Sequence, residues 1–228
     1  MDPGQLAKMI DLTLLKPTAT AEEVKMLCKE ARKYGFICVV VHSHYVPLAC
    51  KLLQGTEIKV GTVVGFPFGA NLSEVKAYEA RRAVELGASE IDIVINPGAL
   101  KSKDLATLEY DIKSVVEEVK SVRSDAIVKV IIETCYLSDE EKVEACRAVV
   151  NGGADFVKTS TGFGSGGATV RDARLIRSVV RPKFGVKAAG GIRNLEIALA
   201  MIEACVNRIG ASAGGKIVGE LIDRSALT

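Results

Sequence analysis

Eight short apolar runs, each followed by a stretch of helical periodicity or helix-capping residues, recur along the chain, and this alternation limits the possible folds more than any other feature. The runs are Ile10 to Leu15, Phe36 to His42, Ile58 to Val64, Glu90 to Ile95, Ile127 to Glu133, the stretch from Gly153 ending at Lys158, Gly185 to Ala188, and Val206 to Gly210. Between them lie helix signals. Thr20-Ala-Glu-Glu23 and Ser138-Asp-Glu-Glu141 have capping-box spacing, Ser73, Thr169 and Asn194 stand where helix caps belong, and Gly35, Gly87, Gly152 and Pro182 mark stops. Helical periods fill about Tyr45 to Leu53, Leu105 to Val122 and Gly214 to Asp223, while Asn96-Pro97-Gly98 reads as a turn and residues 3 to 9 as a short helical lead-in. Strands that are apolar on both faces belong to a parallel sheet covered by helices. Eight of them in 228 residues predict a single domain over residues 1–228: a closed (β/α)8 TIM barrel with a short N-terminal lead-in helix. An open doubly wound sheet is the runner-up, but no Gly-x-Gly-x-x-Gly follows the first strand; Gly162-Phe-Gly-Ser-Gly-Gly167 resembles it loosely and follows the sixth.

Charge and cysteine usage exclude several classes of partner. The net charge of +2 comes from 30 basic and 28 acidic residues mixed along the helices, which points away from nucleic acid and from anionic membranes. No run of about 18 apolar residues and no leader pattern is present, so a cytoplasmic location is expected. The six cysteines lie far apart and read as reduced, small apolar residues. His42 and His44 form a His-x-His pair, but they are the chain's only histidines, too few for the zinc sites that use this spacing; no metal and no cofactor is expected.

The chemistry is carried by ionisable residues on strands that should be buried. Side chains alternate faces along a strand. If Ile91, Ile93 and Ile95 face the helices, Asp92 faces the barrel axis; if Val128, Val130 and Ile132 face outward, Lys129 and Glu133 point in. Lys158 ends the sixth strand and Lys187 lies on the seventh, so three lysines and two carboxylates would converge. A self-neutralising ion network without chemistry is one reading. The other is a reactive amine: with a second cation close by, one lysine loses its proton near neutral pH and attacks a carbonyl to form a Schiff base. A carboxylate such as Asp92 would then move protons.

Two glycine-rich segments carry a separate signal. Gly190-Gly-Ile-Arg193 follows the seventh strand, and Gly210-Ala-Ser-Ala-Gly-Gly215 follows the eighth and leads into a helix. Loops at these places, with free backbone amides at a helix N-terminus, suit a phosphorylated substrate.

Lys158-Thr-Ser-Thr-Gly162, Lys187-Ala-Ala-Gly-Gly-Ile-Arg193, Lys129-Val-Ile-Ile-Glu-Thr134 and Asp11-Leu-Thr-Leu-Leu15, in this order and over essentially the whole chain, resemble the deoxyribose-phosphate aldolases. The resemblance implies a metal-independent class I aldolase that interconverts 2-deoxy-D-ribose 5-phosphate with D-glyceraldehyde 3-phosphate and acetaldehyde. Its partners would be small sugar phosphates and aldehydes, and its assembly a homodimer or homotetramer. It implies Lys158 as the Schiff-base lysine, Asp92 as proton donor and acceptor, and Lys187 as the lysine that perturbs Lys158. Asp11, Cys38, Lys129 and Thr159 take supporting roles, and Gly162, Gly190, Gly191, Arg193, Gly210 and Ser212 bind the phosphate. Some members carry lysine where this chain has Phe163 and serine where it has Ala213, which implies weaker phosphate dependence or a compensating contact from Arg193. Some also end in a tyrosine-bearing tail, and Ala226-Leu227-Thr228 has no tyrosine.

Overall fold

The computed structural model describes residues 1–226; Leu227 and Thr228, and with them the expectation about the tail, lie outside the described residues. Helix α1 (Pro3–Ala7) precedes β1 (Ile10–Leu14), and the chain continues through α2 (Ala21–Tyr34), β2 (Cys38–Val41), α3 (Val46–Leu53), β3 (Lys59–Val64) and α4 (Ser73–Glu85). After β4 (Glu90–Val94) come α5 (Pro97–Lys101), α6 (Leu105–Val122), β5 (Ile127–Ile131) and α7 (Asp139–Asn151). The last quarter holds β6 (Phe156–Lys158), α8 (Val170–Val179), β7 (Gly185–Ala189), α9 (Leu195–Glu203), β8 (Arg208–Ala211) and α10 (Gly214–Ala226). The strands pair in sequence order, all parallel, and β8 pairs with β1 to close the barrel. This is the (β/α)8 architecture, with the short N-terminal helix in place.

Local signals explain most boundaries. Thr20 and Ser138 each form a reciprocal capping box, with Glu23 and Glu141 respectively, and Thr169 and Asn194 accept from Asp172 N and Ile197 N. Each such cap is worth about 1 kcal/mol. Gly35 ends α2 with φ of 68°, a left-handed conformation that costs glycine nothing. Ser73 does not cap: Leu72 occupies that position without a side-chain bond, and Ser73 is the first helical residue. The Asn96-Pro97-Gly98 segment is the start of a helix as well as a turn, because the Asn96 side chain accepts from Gly98 N and Ala99 N while Pro97 supplies a preset φ at the first helical position.

The main apolar core lies between the barrel wall and the helices. Ile91, Ile93, Val128, Val130, Val157, Val186 and Ile209 point into it, against Ala80 of α4, Ile112 and Val115 of α6, Ala145 of α7 and Ile176 of α8. Full burial of each Val, Leu or Ile contributes about 1.5–3 kcal/mol. A smaller cluster, Leu15, Cys38, Val40 and Val63, fills one side of the barrel interior. Asp11, Glu90, Asp92, Lys129, Lys158, Lys187 and Arg208 are buried at other inward positions.

Candidate active site

Strand register decides which charges meet. β4 and β5 pair Asp92 with Lys129, β6 and β7 pair Lys158 with Lys187, and β7 and β8 pair Lys187 with Arg208. Register partners in a parallel pair leave the sheet on the same face, so these side chains are delivered together into the barrel. Lys158 Nζ and Lys187 Nζ both lie 2.8 Å from Asp92 Oδ2, so neither is farther from the other than twice that length. Lys187 Nζ also lies 2.5 Å from Asp11 Oδ2. Lys129 Nζ stands 2.9 Å from Asp92 Oδ1, 2.6 Å from Glu90 Oε2 and 3.7 Å from Asp11 Oδ2. Arg208 closes the network, 2.6 Å from Asp11 Oδ1 and 3.1 Å from Glu90 Oε1.

These ion pairs join four cationic side chains, Lys129, Lys158, Lys187 and Arg208, to three carboxylates, Asp11, Glu90 and Asp92. All seven are buried, and an unbalanced charge in such surroundings is expensive. One amine therefore gains by releasing its proton. Lys129 has three carboxylate partners and Lys187 and Arg208 two each, while Lys158 has Asp92 alone. Lys158 is the amine that yields.

The acid strengths follow that count. Burial pushes the Lys158 amine down to about 8; Asp92 opposes the fall, and Lys187 adds to it. The leading cause is thus loss of water, with the neighbouring cation contributing less than the like-charge argument from sequence assigns to it. Burial also works against the charge on Lys187, but Asp11 and then Asp92 outweigh it and hold that amine above the ordinary lysine value. Lys129, buried yet facing Asp92, Glu90 and Asp11, is held well above it. Burial alone would raise the Asp92 carboxyl; Lys129, Lys158 and Lys187 overcome that and keep it well below the usual carboxylate range. Asp11 is lowered to about 2 for the same reason, with Lys187 its strongest cationic neighbour.

Above this network opens a cavity of about 370 Å³ at the C-terminal ends of the strands. Lys158 lies in its lining, as do Gly162, Gly190, Gly191, Arg193, Gly210 and Ser212, six positions named from the glycine-rich segments and the resemblance. Gly190 has φ of 88°, and a Cβ there would stand 3.0 Å from Gly167 Cα, so the segments after β6 and β7 pack backbone to backbone as only glycine allows. Gly210 makes room beneath: a Cβ on it would approach Lys187 Cε to 3.1 Å. Helix α10 begins at Gly214, directing its free amides toward this end of the barrel.

The remaining expected residues are placed unevenly. Asp11 and Lys129 belong to the ion network. Cys38 is inside the barrel, its thiol raised well above the usual value by burial first and then by Glu90 and Asp11, so it stays protonated. Thr159 is turned away from the cavity and bridges β6 to β7, donating to Ala189 O at 3.2 Å and accepting from Ala189 N at 3.1 Å. Glu133 does not join the lysines. Its backbone turns left-handed (φ 54°), which ends the strand alternation, and its carboxylate accepts from Thr161 N at 3.2 Å and from the Thr161 hydroxyl. His42 Nε2 bonds Leu15 O at 2.8 Å and the His44 ring packs edge-on against Tyr45. Asp11, Cys38 and Glu90 place ligand atoms within 4.8 Å of one another, but Lys129, Lys187 and Arg208 already stand on those carboxylates. Glu90 and Arg208 were missed as members of the cluster, although Glu90 shares the face of Asp92 and Arg208 shares that of Gly210 by simple alternation.

A parallel barrel that delivers a buried lysine of lowered basicity to the floor of a glycine-lined cavity has, as a class, the build of a carbonyl-handling barrel enzyme. The chain belongs to the DeoC/LacD family of aldolases, whose family model matches residues 5–224. It is 60% identical over 215 residues, 94% of this chain and 93% of the relative, to the deoxyribose-phosphate aldolase of Caldanaerobacter subterraneus subsp. tengcongensis. Among solved structures, the deoxyribose phosphate aldolase of Aeropyrum pernix, described as a tetramer, superposes with a TM-score of 0.89 at 35% identity, covering 100% of this chain and 94% of that one. An aldolase called QR15 superposes at 0.90 with 40% identity, covering 97% and 98%.

Proposed function

We propose that the chain is a class I deoxyribose-phosphate aldolase, cleaving 2-deoxy-D-ribose 5-phosphate reversibly to D-glyceraldehyde 3-phosphate and acetaldehyde. The observation that carries this reading is the single-partner amine of Lys158 at the floor of the cavity lined by Gly162, Gly190, Gly191 and Ser212. The neutral amine attacks the C1 aldehyde of the open-chain sugar, giving a carbinolamine that loses water to an iminium. The cationic nitrogen draws electrons from C2, the C2–C3 bond breaks as the C3 hydroxyl gives up its proton, and glyceraldehyde 3-phosphate leaves. Protonation of the remaining enamine at C2 and hydrolysis of the imine release acetaldehyde and restore the amine. Asp92, hydrogen-bonded to Lys158 and Lys187, is placed to take and return these protons, and Lys187 keeps it ionised between steps. Lys129, Asp11, Glu90 and Arg208 fix Asp92 and Lys187 in position.

The family match over residues 5–224 supports reading residues 1–228 as one catalytic domain. No described helix is long and apolar enough to cross a membrane, and the charge of a phosphorylated substrate confines it to the compartment that makes it, which supports the cytoplasm. A homodimer or homotetramer fits the exposed apolar side chains Leu72, Val75 and Tyr78, with Tyr110 nearby on α6.

Acetaldehyde release from deoxyribose 5-phosphate tests the reading. We expect turnover that a chelator leaves unchanged; no release from this substrate would refute the assignment. Because the reactive amine is lowered to about 8, kcat/KM should climb nearly tenfold per pH unit below that value and level off above it. A profile flat from pH 6 to 8 would contradict the neutral-amine mechanism. Phe163 lines the cavity beside Gly162 with no charge to offer a phosphate. Phe163→Lys should lower KM for the phosphorylated substrate by roughly three- to tenfold; an unchanged KM would mean that another cation, such as Arg193, already serves that oxygen.

A further inference from the structure

Glu133 is a buried carboxylate that the ion network beneath the cavity does not use. Its backbone is held left-handed at φ 54°, a conformation that glycine adopts more cheaply than any residue with a Cβ. The side chain reaches from the end of β5 to the segment after β6. There it accepts from Thr161 N, at 3.3 Å on Oε1 and 3.2 Å on Oε2, and from the Thr161 hydroxyl, while the Cys135 thiol donates to Oε1 at 3.8 Å. All of these donors are neutral. The Thr161 hydroxyl oxygen in turn accepts from Phe163 N at 3.0 Å. Thr161 N and Phe163 N are thus tied back, whereas Gly162, between them, lines the cavity with its own N–H unpartnered among the described residues. The segment needs such an anchor. Gly162, Gly164, Gly166 and Gly167 fall within six residues, and ordering glycine costs more conformational entropy than ordering any other residue. The anchored segment is seated closely on both sides: a Cβ on Gly164 would stand 2.8 Å from Cys135 Sγ, and one on Gly167 2.4 Å from Gly190 O.

We infer that Glu133 is a positioning residue that sets the preference for a phosphorylated sugar over its unphosphorylated counterpart, by fixing the backbone from Thr161 to Phe163 so that Gly162 is presented to the phosphate. The inference rests on the aldolase reading proposed above. Glu133 is absent from the cavity lining and acts through Thr161. Without the carboxylate, the buried Thr161 N and hydroxyl lose their acceptor, and the glycine-rich segment is released from its one arrangement. The phosphate must then order that segment as it binds, which lowers affinity. Lys158 is spared, because it belongs to β6: its carbonyl accepts from Ile132 N at 3.0 Å and its amine is held on Asp92. Acetaldehyde, which carries no phosphate, should therefore still form its adduct on Lys158.

The test compares Glu133→Ala, Glu133→Gln and Thr161→Val with the parent on deoxyribose 5-phosphate and on 2-deoxyribose, with the acetaldehyde adduct on Lys158 trapped by borohydride in each. No adduct in the parent refutes the aldolase reading and this inference with it; the outcomes named below overturn this inference alone. Glu133→Ala is expected to raise KM for deoxyribose 5-phosphate by roughly ten- to thirtyfold, and to hold both its kcat and the kcat/KM for 2-deoxyribose within about threefold. Glu133→Gln keeps one oxygen for Thr161 and should bring KM back to within about threefold of the parent, since an acceptor is needed and a charge is not. An unchanged KM in Glu133→Ala, equal losses on the two sugars, or a Gln variant as impaired as the Ala variant overturns the inference. Should Glu133→Ala fail to fold, Thr161→Val reads the same anchor, because it removes the hydroxyl and keeps the shape and the N–H. Its KM should rise by roughly three- to tenfold on the phosphorylated sugar alone, and no rise overturns the inference. Where both variants fold, the double variant should be no worse than Glu133→Ala; multiplied losses would mean that the two residues act separately, which contradicts an anchor made through Thr161.

Discussion

Replacing Lys158 by leucine is expected to reduce acetaldehyde release from deoxyribose 5-phosphate by at least about four orders of magnitude while leaving the fold intact. No other amine can take its place: Lys187 and Lys129 are each held protonated by two or more carboxylates, and a protonated amine has no electron pair for a carbonyl. The fold should survive because the variant removes the surplus cation, leaving Lys129, Lys187 and Arg208 against Asp11, Glu90 and Asp92. Circular dichroism and a thermal midpoint no lower than that of the parent check this half. Turnover near the parental rate would sink the assignment of the nucleophile, and an unfolded variant would contradict the charge count.

The second large effect is expected from Lys187→Leu, which acts on Lys158 at a distance of one shared oxygen. With Lys187 gone, Asp92 keeps only Lys129 and Lys158 as cationic partners, and the network needs the charge on Lys158 to balance its three carboxylates. The Lys158 amine should therefore rise toward or above the ordinary lysine value. Each unit of that rise costs about tenfold at neutral pH, so activity at pH 7 should fall by roughly two to three orders of magnitude and recover in part at pH 9 to 10. The recovery separates an electrostatic role from a structural one, since a misfolded site would not regain activity in alkali. A pH profile with the parental midpoint would mean that Lys187 does not tune its neighbour.

The architecture was legible because the outward face of each strand is almost uniformly aliphatic. Ile91 and Ile93 on β4, or Val128 and Val130 on β5, leave the inward positions plain, and Asp92 and Lys129 stand out there as polar residues in a dry place. Lys158 and Lys187 could be paired from sequence once their strands were recognised as neighbours. Glu133 misled because alternation presumes continuous strand backbone, and the left-handed turn at that residue redirects its side chain to Thr161. Arg208 escaped because β8 has only four residues, Arg208–Ala211, too few for a convincing period. The cause of the Lys158 depression was also only partly readable. Sequence shows that two lysines approach, but whether burial or repulsion dominates depends on how tightly the barrel closes around them, and the first-ranked cause is burial. Thr159 illustrates the same limit, for a hydroxyl beside a catalytic strand end can face the substrate or the next strand, and here it bonds Ala189.

The account turns on one buried amine whose proton is loosened first by loss of water and then by the neighbouring Lys187 cation. Trapping tests this most directly: incubate the protein with acetaldehyde, reduce with borohydride, digest, and locate the ethylated lysine across a range of pH. The expected result is modification confined to Lys158, forming faster as the pH rises through about 8. Modification of Lys187 or Lys129 instead, or continued turnover with no lysine modified, would contradict it.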